Sequence, residues 1–221
     1  MEIEIRRAVL AHNDADAAEN SRLFQERGMR AVNVMASPGA GKTSLILSLA
    51  KRLPSGLTAL VIEGDCASSV DADRVAANGI GVVQINTEGG CHLEARMVRE
   101  AFLKLHVTGT GVLFIENIGN LICPVEYDLG EDLRMVVASV PEGDDKPLKY
   151  PYIFQAADVI VLNKLDLIDH VDFDMDRFHA GIRTVNETAG VFEVSCKTGQ
   201  GLDELVSWLL HSEAPSSNAG A

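Results

Sequence analysis

Residues 36–44, ASPGAGKTS, carry the chemistry of a phosphate cradle. They nearly match G-x-x-x-x-G-K-S/T, with Ala36 where that pattern has its first glycine. Gly39 and Gly41 let backbone amides turn inward around phosphate oxygens, and a helix beginning there adds the positive end of its dipole. Lys42 would span the β- and γ-phosphates, and Thr43 would give a hydroxyl to Mg²⁺. Pro38, Gly39, Ala40, Gly41, Lys42, Thr43 and Ser44 are therefore the nucleotide-contacting candidates. A Gly-rich connector is the bland alternative. It is disfavoured because an apolar strand pattern precedes the loop, a helical pattern follows it, and Lys–Thr falls in register.

A second, independent signal names the base. VIVLNKLDL places Asn163, Lys164 and Asp166 at the end of an apolar run. A carboxylate at Asp166 would accept two hydrogen bonds, from guanine N1–H and the 2-amino group. Adenine offers neither and would leave the charge unpaired, which is costly once water is excluded. Asn163 would support the loop, the Lys164 stem would cover the ring, and the Ser195–Cys196–Lys197 backbone would reach guanine O6. The nucleotide expected is GTP.

Two acids complete the catalytic expectation beside Lys42. Asp65 ends the run VIEGD and would hold Mg²⁺ through water or orient the attacking water; a helix cap or solvated loop acid is the alternative. Glu116 ends GVLFIE, where nucleotide switches place a metal-assisting Asp, and Gly119 would donate its amide to the γ-phosphate. No glutamine follows to orient water, so slow turnover is expected. The Mg²⁺ candidates are Thr43, Asp65 and Glu116.

A third set concerns a transition metal. Cys91 and His92 adjoin in EGGCHLEA, and Cys123 follows ENIGNLI at the next strand end. Read as the start of a helix, Cys91 gains a lowered thiol pKa, which favours the thiolate that metals require. Two thiolates and an imidazole suit Ni²⁺ or Zn²⁺. A buried cysteine with a surface histidine is the alternative for either segment alone. One chain offers few ligands for a closed site, so a two-fold dimer sharing the site is attractive. Cys66 is a weaker candidate, while His106, His170 and His179 read as ordinary helix or surface residues.

These residues need a scaffold that gathers strand ends. Apolar, β-branched runs (MRAVNVMAS, LTALVIEG, IGVVQIN, GVLFIEN, LRMVVASV, ADVIVLNK, GVFEVS) alternate with helical spacing over residues 41–53, 70–78, 92–106, 176–189 and 202–210. The last helix would bury Leu205, Trp208 and Leu209. The pattern predicts an α/β fold, a mostly parallel, doubly covered sheet in three layers α/β/α, of the P-loop NTPase kind. A leading helix over residues 1–29 presents Leu23 and Phe24 on one face. A GTPase domain over 30–211 and a flexible tail over 212–221 complete the expected organisation. At 221 residues the chain can bury a sizeable core. A net charge of −13 argues against nucleic acid, and no apolar run approaches the ~20 residues that span a bilayer. With no signal peptide visible, the expected location is cytoplasmic, and Cys66, Cys91, Cys123 and Cys196 are then free thiols or ligands rather than disulfides.

Taken together, SPGAGKTS, EGD…DADR, INTEGGCHLEA, ENIGNLICP, DKPLKYP and NKLDL resemble the HypB family, maturation GTPases of the SIMIBI class that assist nickel insertion into nickel–iron hydrogenase. The resemblance spans residues 30–210, and GCHLEA with ENIGNLICP is its most specific part. It implies a slow GTPase that dimerises with nucleotide and works with a HypA-type accessory protein and the hydrogenase large subunit. It also implies that the family's internal Ni²⁺ or Zn²⁺ site falls on Cys91, His92 and Cys123. Many members carry an N-terminal Cys-rich or His-rich stretch; here His12 is the only candidate ligand before the phosphate loop. A urease accessory GTPase is similar, but typically has a proline between the cysteine and the histidine that adjoin here. A GTP-gated binding module with structural zinc is the reading from a different class.

Overall fold

A computed structural model describes residues 2–66 and 68–212; most of the expected tail, from residue 213 on, lies outside the described residues. The strands are β1 (Met29–Ala36), β2 (Thr58–Asp65), β3 (Gly81–Asn86), β4 (Gly111–Glu116), β5 (Leu133–Ser139), β6 (Val159–Asn163) and β7 (Gly190–Glu193). Among the described residues they form one seven-stranded sheet in the order β3-β2-β4-β1-β5-β6-β7. Every pairing is parallel. This is the expected α/β architecture of a P-loop NTPase.

The central strands are unbroken apolar runs because helices cover both faces. All of β4, GVLFIE, is buried, including its terminal glutamate, whereas the edge strands β3 and β7 are half exposed. On one face pack α2 (Lys42–Ala50), α3 (Val70–Ala77) and α8 (Leu202–His211), closing a core around Val34, Leu45, Ile46, Phe114 and Leu205. On the other, α1 (Glu2–Glu26) and α4 (Ala95–Phe102) close over Met29, Leu60, Ile62 and Leu113. The remainder of that layer is α5 (Lys146–Lys149), α6 (Pro151–Gln155) and α7 (Met175–Val185), with Phe154 and Phe178 buried beneath. None of the described helices is long and apolar enough to cross a membrane.

Three local expectations are revised. The helix expected over 92–106 begins only at Ala95, because residues 91–94 are held by side chains from elsewhere in the fold. The helix expected over 176–189 ends at Val185, because the Asn186 carboxamide donates to the carbonyls of Phe154 and Ala157 at 2.9 and 2.8 Å and accepts from the Ala189 amide. In α8, Leu205 and Leu209 are buried with Val206, while Trp208 lies half-buried against Phe192.

The leading helix is held by polar groups as well as apolar ones. Its buried stripe is Asn13, Ala17, Asn20 and Phe24, a helical spacing, with Leu23 only partly covered. Asn13 accepts from the Ala95 amide at 2.9 Å and donates to Asp128 O at 2.8 Å. Asn20 donates to Ala95 O at 2.7 Å and to Leu129 O at 2.9 Å. Two asparagines thus tie the start of α4 to the loop before β5.

Asn20→Ala leaves two buried carbonyls without their donor, which costs about 1–3 kcal/mol for each. Urea unfolding is expected to show a loss of roughly 2–6 kcal/mol. A loss below about 0.5 kcal/mol, the level of a surface substitution, would show that α1 docks by its apolar residues alone.

Candidate nucleotide and metal sites

The phosphate loop links β1 to α2. Gly41 caps α2 with a left-handed backbone, φ 102°. It also lies so close to Asn163 that a Cβ there would stand 2.6 Å from Nδ2. Both facts demand glycine. Asn163 braces the loop, its Nδ2 donating to Ala40 O at 3.1 Å, and its Oδ1 accepts from the Lys164 amide at 2.8 Å. Lys164 takes a left-handed φ of 61°, and its Nζ reaches Gly39 O at 2.5 Å, so its stem lies across the loop.

On one side of this loop opens a cleft of about 600 Å³. Gly41, Ser44, Asn163, Lys164, Asp166 and Lys197 line it. Asp166 Oδ1 accepts from the Ser195 hydroxyl at 2.6 Å, and Lys197 Nζ stands 3.7 Å from Oδ2. The Ser195 hydroxyl first, helped by Lys197, holds the Asp166 carboxyl below its usual range. A carboxylate retains further lone pairs after accepting Ser195, as two donors on a purine edge require. The Ser195 amide is spent on Gln200 O within its own turn, at 3.1 Å, so Ser195 serves through its hydroxyl rather than as an amide for O6. Cys196 also lines the cleft, its thiol pushed up by burial, and Ser44 is engaged by Arg74 at 3.2 Å.

On the other side lies a smaller pocket of about 260 Å³, lined by Pro38, Gly39, Lys42, Glu63, Asp65, Asp71, Glu116 and Gly119 among others. Gly119 packs against the phosphate loop: a Cβ there would lie 3.0–3.2 Å from three atoms of Pro38. Asp65 accepts from the Ser68 amide at 2.7 Å, so it caps its own loop while lining the pocket. Glu116 is 3 % exposed and accepts the Thr43 hydroxyl at 2.8 Å. Sequence reasoning missed Glu63, which is 2 % exposed and paired in register with Glu116 across β2 and β4. Its visible signal is an acid inside the apolar run ALVIEG. Burial, and then the charge of Glu116, push Glu63 up to about 8. Burial likewise pushes Glu116 up to about 7, against the opposing influence of Lys42. One oxygen of each, Oε2, is buried without a hydrogen-bond partner. Two orphaned carboxylate oxygens beside Lys42 and the Thr43 hydroxyl fit a hard divalent cation such as Mg²⁺.

The third cluster lies beyond the ends of β3 and β4. One ligand atom from each of Cys91, His92 and Cys123 falls within 4.8 Å of the others. Cys91 Sγ is 3.5 Å from His92 Nδ1, and the His92 ring stacks on Tyr127 at 3.9 Å. Tyr127 follows the turn that carries Cys123, so the stack bridges both ligand loops. Burial lowers the His92 pKa and favours the neutral imidazole that metals bind. Cys91 departs from expectation. It lies ahead of the Glu94 cap of α4 rather than at a helix N-terminus, and the neighbouring Cys123 thiol, then burial, push its thiol up. A metal bound there would have to displace thiol protons.

Asn117, fully buried, was also overlooked. Its Oδ1 accepts from the Ile118 amide at 2.9 Å and the Leu93 amide at 3.3 Å, and its Nδ2 donates to Asn33 at 3.2 Å. Asn120 Nδ2 adds a bond to Cys91 O at 3.2 Å. The segment after β4 thus holds the Cys91–His92 loop directly. His106, His170, His179 and Cys196 contribute nothing to this cluster.

Residues 30–193 match the family model for the CobW/HypB/UreG nucleotide-binding domain. The chain is 47 % identical over 212 residues to the hydrogenase maturation factor HypB of Rhizobium leguminosarum bv. viciae, covering 96 % of this chain and 71 % of that protein. It is 37 % identical over 216 residues to the hydrogenase/urease maturation factor HypB of Helicobacter pylori strain J99, covering 96 % of this chain and 88 % of that one. Among solved structures it is similar to HypB from Helicobacter pylori in complex with nickel, with a TM-score of 0.89 and 35 % identity. That likeness covers 95 % of this chain and all of the other.

The acid pair sets a pH dependence. Both groups bind protons more tightly folded than unfolded, so their contribution to stability is full below about pH 4.5 and is lost as pH rises through 7 to 8. Without a divalent cation, melting temperature is expected to fall across that window. Glu63→Gln is expected to flatten the fall by removing the acid whose proton burial, and then Glu116, hold most tightly, a difference of the order of 3 kcal/mol. Thermal melts at pH 5.5 and 8 check this; equal slopes in parent and variant would refute the coupled pair.

Proposed function

The chain belongs to the CobW/HypB/UreG family, within its HypB branch, and from that premise we propose a slow, Mg²⁺-dependent GTPase that delivers nickel during hydrogenase maturation. The observation that carries this reading is the Cys91–His92–Cys123 cluster, joined through Asn117 to the strand end that presents Glu116. A nucleotide-binding domain alone needs no transition-metal ligands; ligands bonded to the switch segment give the nucleotide something to control. The leading segment expected over 1–29, whose helix is α1 (Glu2–Glu26) and whose last residue already opens β1, and the GTPase domain over 30–211 act as one unit in this reading.

The roles follow from position. Amides of Gly39, Ala40 and Gly41 would cradle the phosphates, and Lys42 would neutralise the β- and γ-oxygens. Asp166 would accept guanine N1–H and the 2-amino group, with the Lys164 stem over the ring. Mg²⁺, when bound, would offset phosphate charge and draw Glu63 and Glu116 into their charged forms. Asp65 would orient water, and the Gly119 amide would register the γ-phosphate. Slow turnover suits a timer: GTP holds the metal loops in one arrangement, and hydrolysis releases them. Nickel is the cargo, taken by two thiolates and an imidazole. The proposed setting is the cytoplasm, with a nucleotide-dependent homodimer, a HypA-type accessory protein and the hydrogenase large subunit as partners. The Helicobacter relative, a hydrogenase/urease factor, supports urease as a second recipient.

Guanine selection predicts that Asp166→Asn weakens GTP binding and improves xanthosine triphosphate binding, because a donor replaces an acceptor. Each change is expected at about tenfold or more, measured by competition titration. Unchanged affinity for both nucleotides would sink the assignment.

Coupling predicts that Ni²⁺ affinity differs between GTP-analogue and GDP states by about 5–150-fold, and that Ni²⁺ shifts GTP affinity by the same factor. Cys123→Ala is expected to weaken the metal and abolish the difference while sparing guanine recognition. Equal Ni²⁺ affinities in both states of the parent protein would overturn delivery gated by nucleotide and leave a static zinc or nickel site.

A further inference from the structure

We propose that Arg74, on α3, binds the α-phosphate of the nucleotide. This rests on the guanine-nucleotide reading of the two clefts and adds a contact from residues 71–74, DADR.

The two clefts fix the ends of the nucleotide. Asp166 lines one and would hold the base, while Lys42, Glu116 and Gly119 line the other, where the γ-phosphate would lie. A nucleoside triphosphate runs from base to ribose to α-, β- and γ-phosphate, so its α-phosphate must lie between them. Ser44 stands at that crossing. It lines the base cleft and directly follows Lys42 and Thr43 in the first turn of α2. The Arg74 guanidinium donates to the Ser44 hydroxyl at 3.2 Å and lines the same cleft. Its charge also reaches Glu116, where it opposes the effect of burial. Arg74 therefore stands beside the stretch that the α-phosphate would occupy.

The placement follows from α3. Ala72 and Val75 are buried and anchor the helix on the domain. Asp71, Arg74 and Asn78 recur at spacings of three and four, which sets them on one stripe of the helix. Asp71 lines the γ-phosphate pocket, and Arg74 and Asn78 line the base cleft, so the stripe runs along the nucleotide's path. Arg74 has donors to spare, because a guanidinium carries five and Ser44 accepts one. The Asn78 carboxamide donates instead to Arg74 O at 2.9 Å. Two other cations at the clefts are engaged: Lys164 with Gly39 O, and Lys197 with Asp166. A planar guanidinium also matches two phosphate oxygens with two parallel N–H bonds. GTP and GDP share the α-phosphate. The contact therefore holds the nucleotide through hydrolysis, while sensing of the γ-phosphate is left to the other pocket.

The test is competition binding of guanosine, GMP, GDP and a GTP analogue to the full chain with Mg²⁺, comparing the parent with Arg74→Ala. Loss of the contact is expected to weaken GMP, GDP and the analogue by about tenfold each and to leave guanosine unchanged. Arg74 is exposed, so the nucleotide-free melting temperature is expected to stay at the parental value. Arg74→Lys keeps the charge without the planar fork and is expected to fall between parent and alanine variant. Lys51→Ala removes an equal charge from the same cleft and is expected to change each affinity by less than about twofold. A loss confined to the GTP analogue would place Arg74 on the γ-phosphate and overturn the proposal. An equal loss of guanosine, which marks a distorted cleft, would overturn it too, as would an equal loss in Lys51→Ala. Affinities of Arg74→Ala all within about twofold of the parent would do the same. A parent that binds none of the four guanine compounds would overturn the nucleotide reading itself.

Discussion

Seven strands running in one direction place every strand's C-terminal end on one edge of the sheet, and the whole site depends on that constraint. The phosphate loop leaves β1, Asp65 ends β2, Glu116 ends β4, and Asn163 ends β6. Residues more than 120 positions apart, such as Ala40 and Asn163, become hydrogen-bonded neighbours at that edge. Parallel pairing requires the crossovers, and the crossover helices supply the two apolar layers that exclude water from the central strands. The same architecture that stabilises the sheet therefore builds the ligand edge.

Within that edge, buried amides of asparagine side chains do the joining. Asn117, the residue after Glu116, accepts from the amides of Ile118 and of Leu93, just past the proposed metal-ligand pair, and reaches back to Asn33 in β1. Asn33 in turn donates to Glu131 at 3.2 Å, and Glu131 accepts from Arg134 at 2.9 Å. Asn13 and Asn20 add a second clamp from α1 onto Ala95 and residues 128 and 129. Buried polar groups must be satisfied, so movement at one end of such a network imposes a cost on its other members. A signal arriving at the end of β4 has a physical route to both metal-ligand loops.

The electrostatics point the same way. Glu63 and Glu116 stand side by side at the phosphate pocket, each with a buried oxygen that no protein group satisfies. Burial disfavours both charged forms, the charge of Glu116 adds to the effect on Glu63, and Lys42 compensates only in part. Such a pair is a poor way to stabilise a fold and a good way to bind a cation, since the cation recovers the desolvation cost of both acids.

The candidate phosphate loop and the proposed guanine and metal-ligand segments can each be picked out in the sequence, because each is a local pattern whose chemistry follows from residue type and spacing. The alternation of β-branched runs with helical spacing likewise determines the parallel sheet and so the shared edge. What the sequence leaves open are properties that arise only from neighbours distant in the chain. Glu63 becomes a buried acid with a like-charged neighbour because β4 lies beside it. Cys91 carries a raised rather than a lowered thiol pKa because Cys123 arrives next to it and Asn117, with Asn13, delays the start of α4. Burial, like-charge proximity and hydrogen-bond satisfaction are properties of packing. Local sequence determined which chemical groups are present; tertiary structure decided their protonation, their partners and which of them move together.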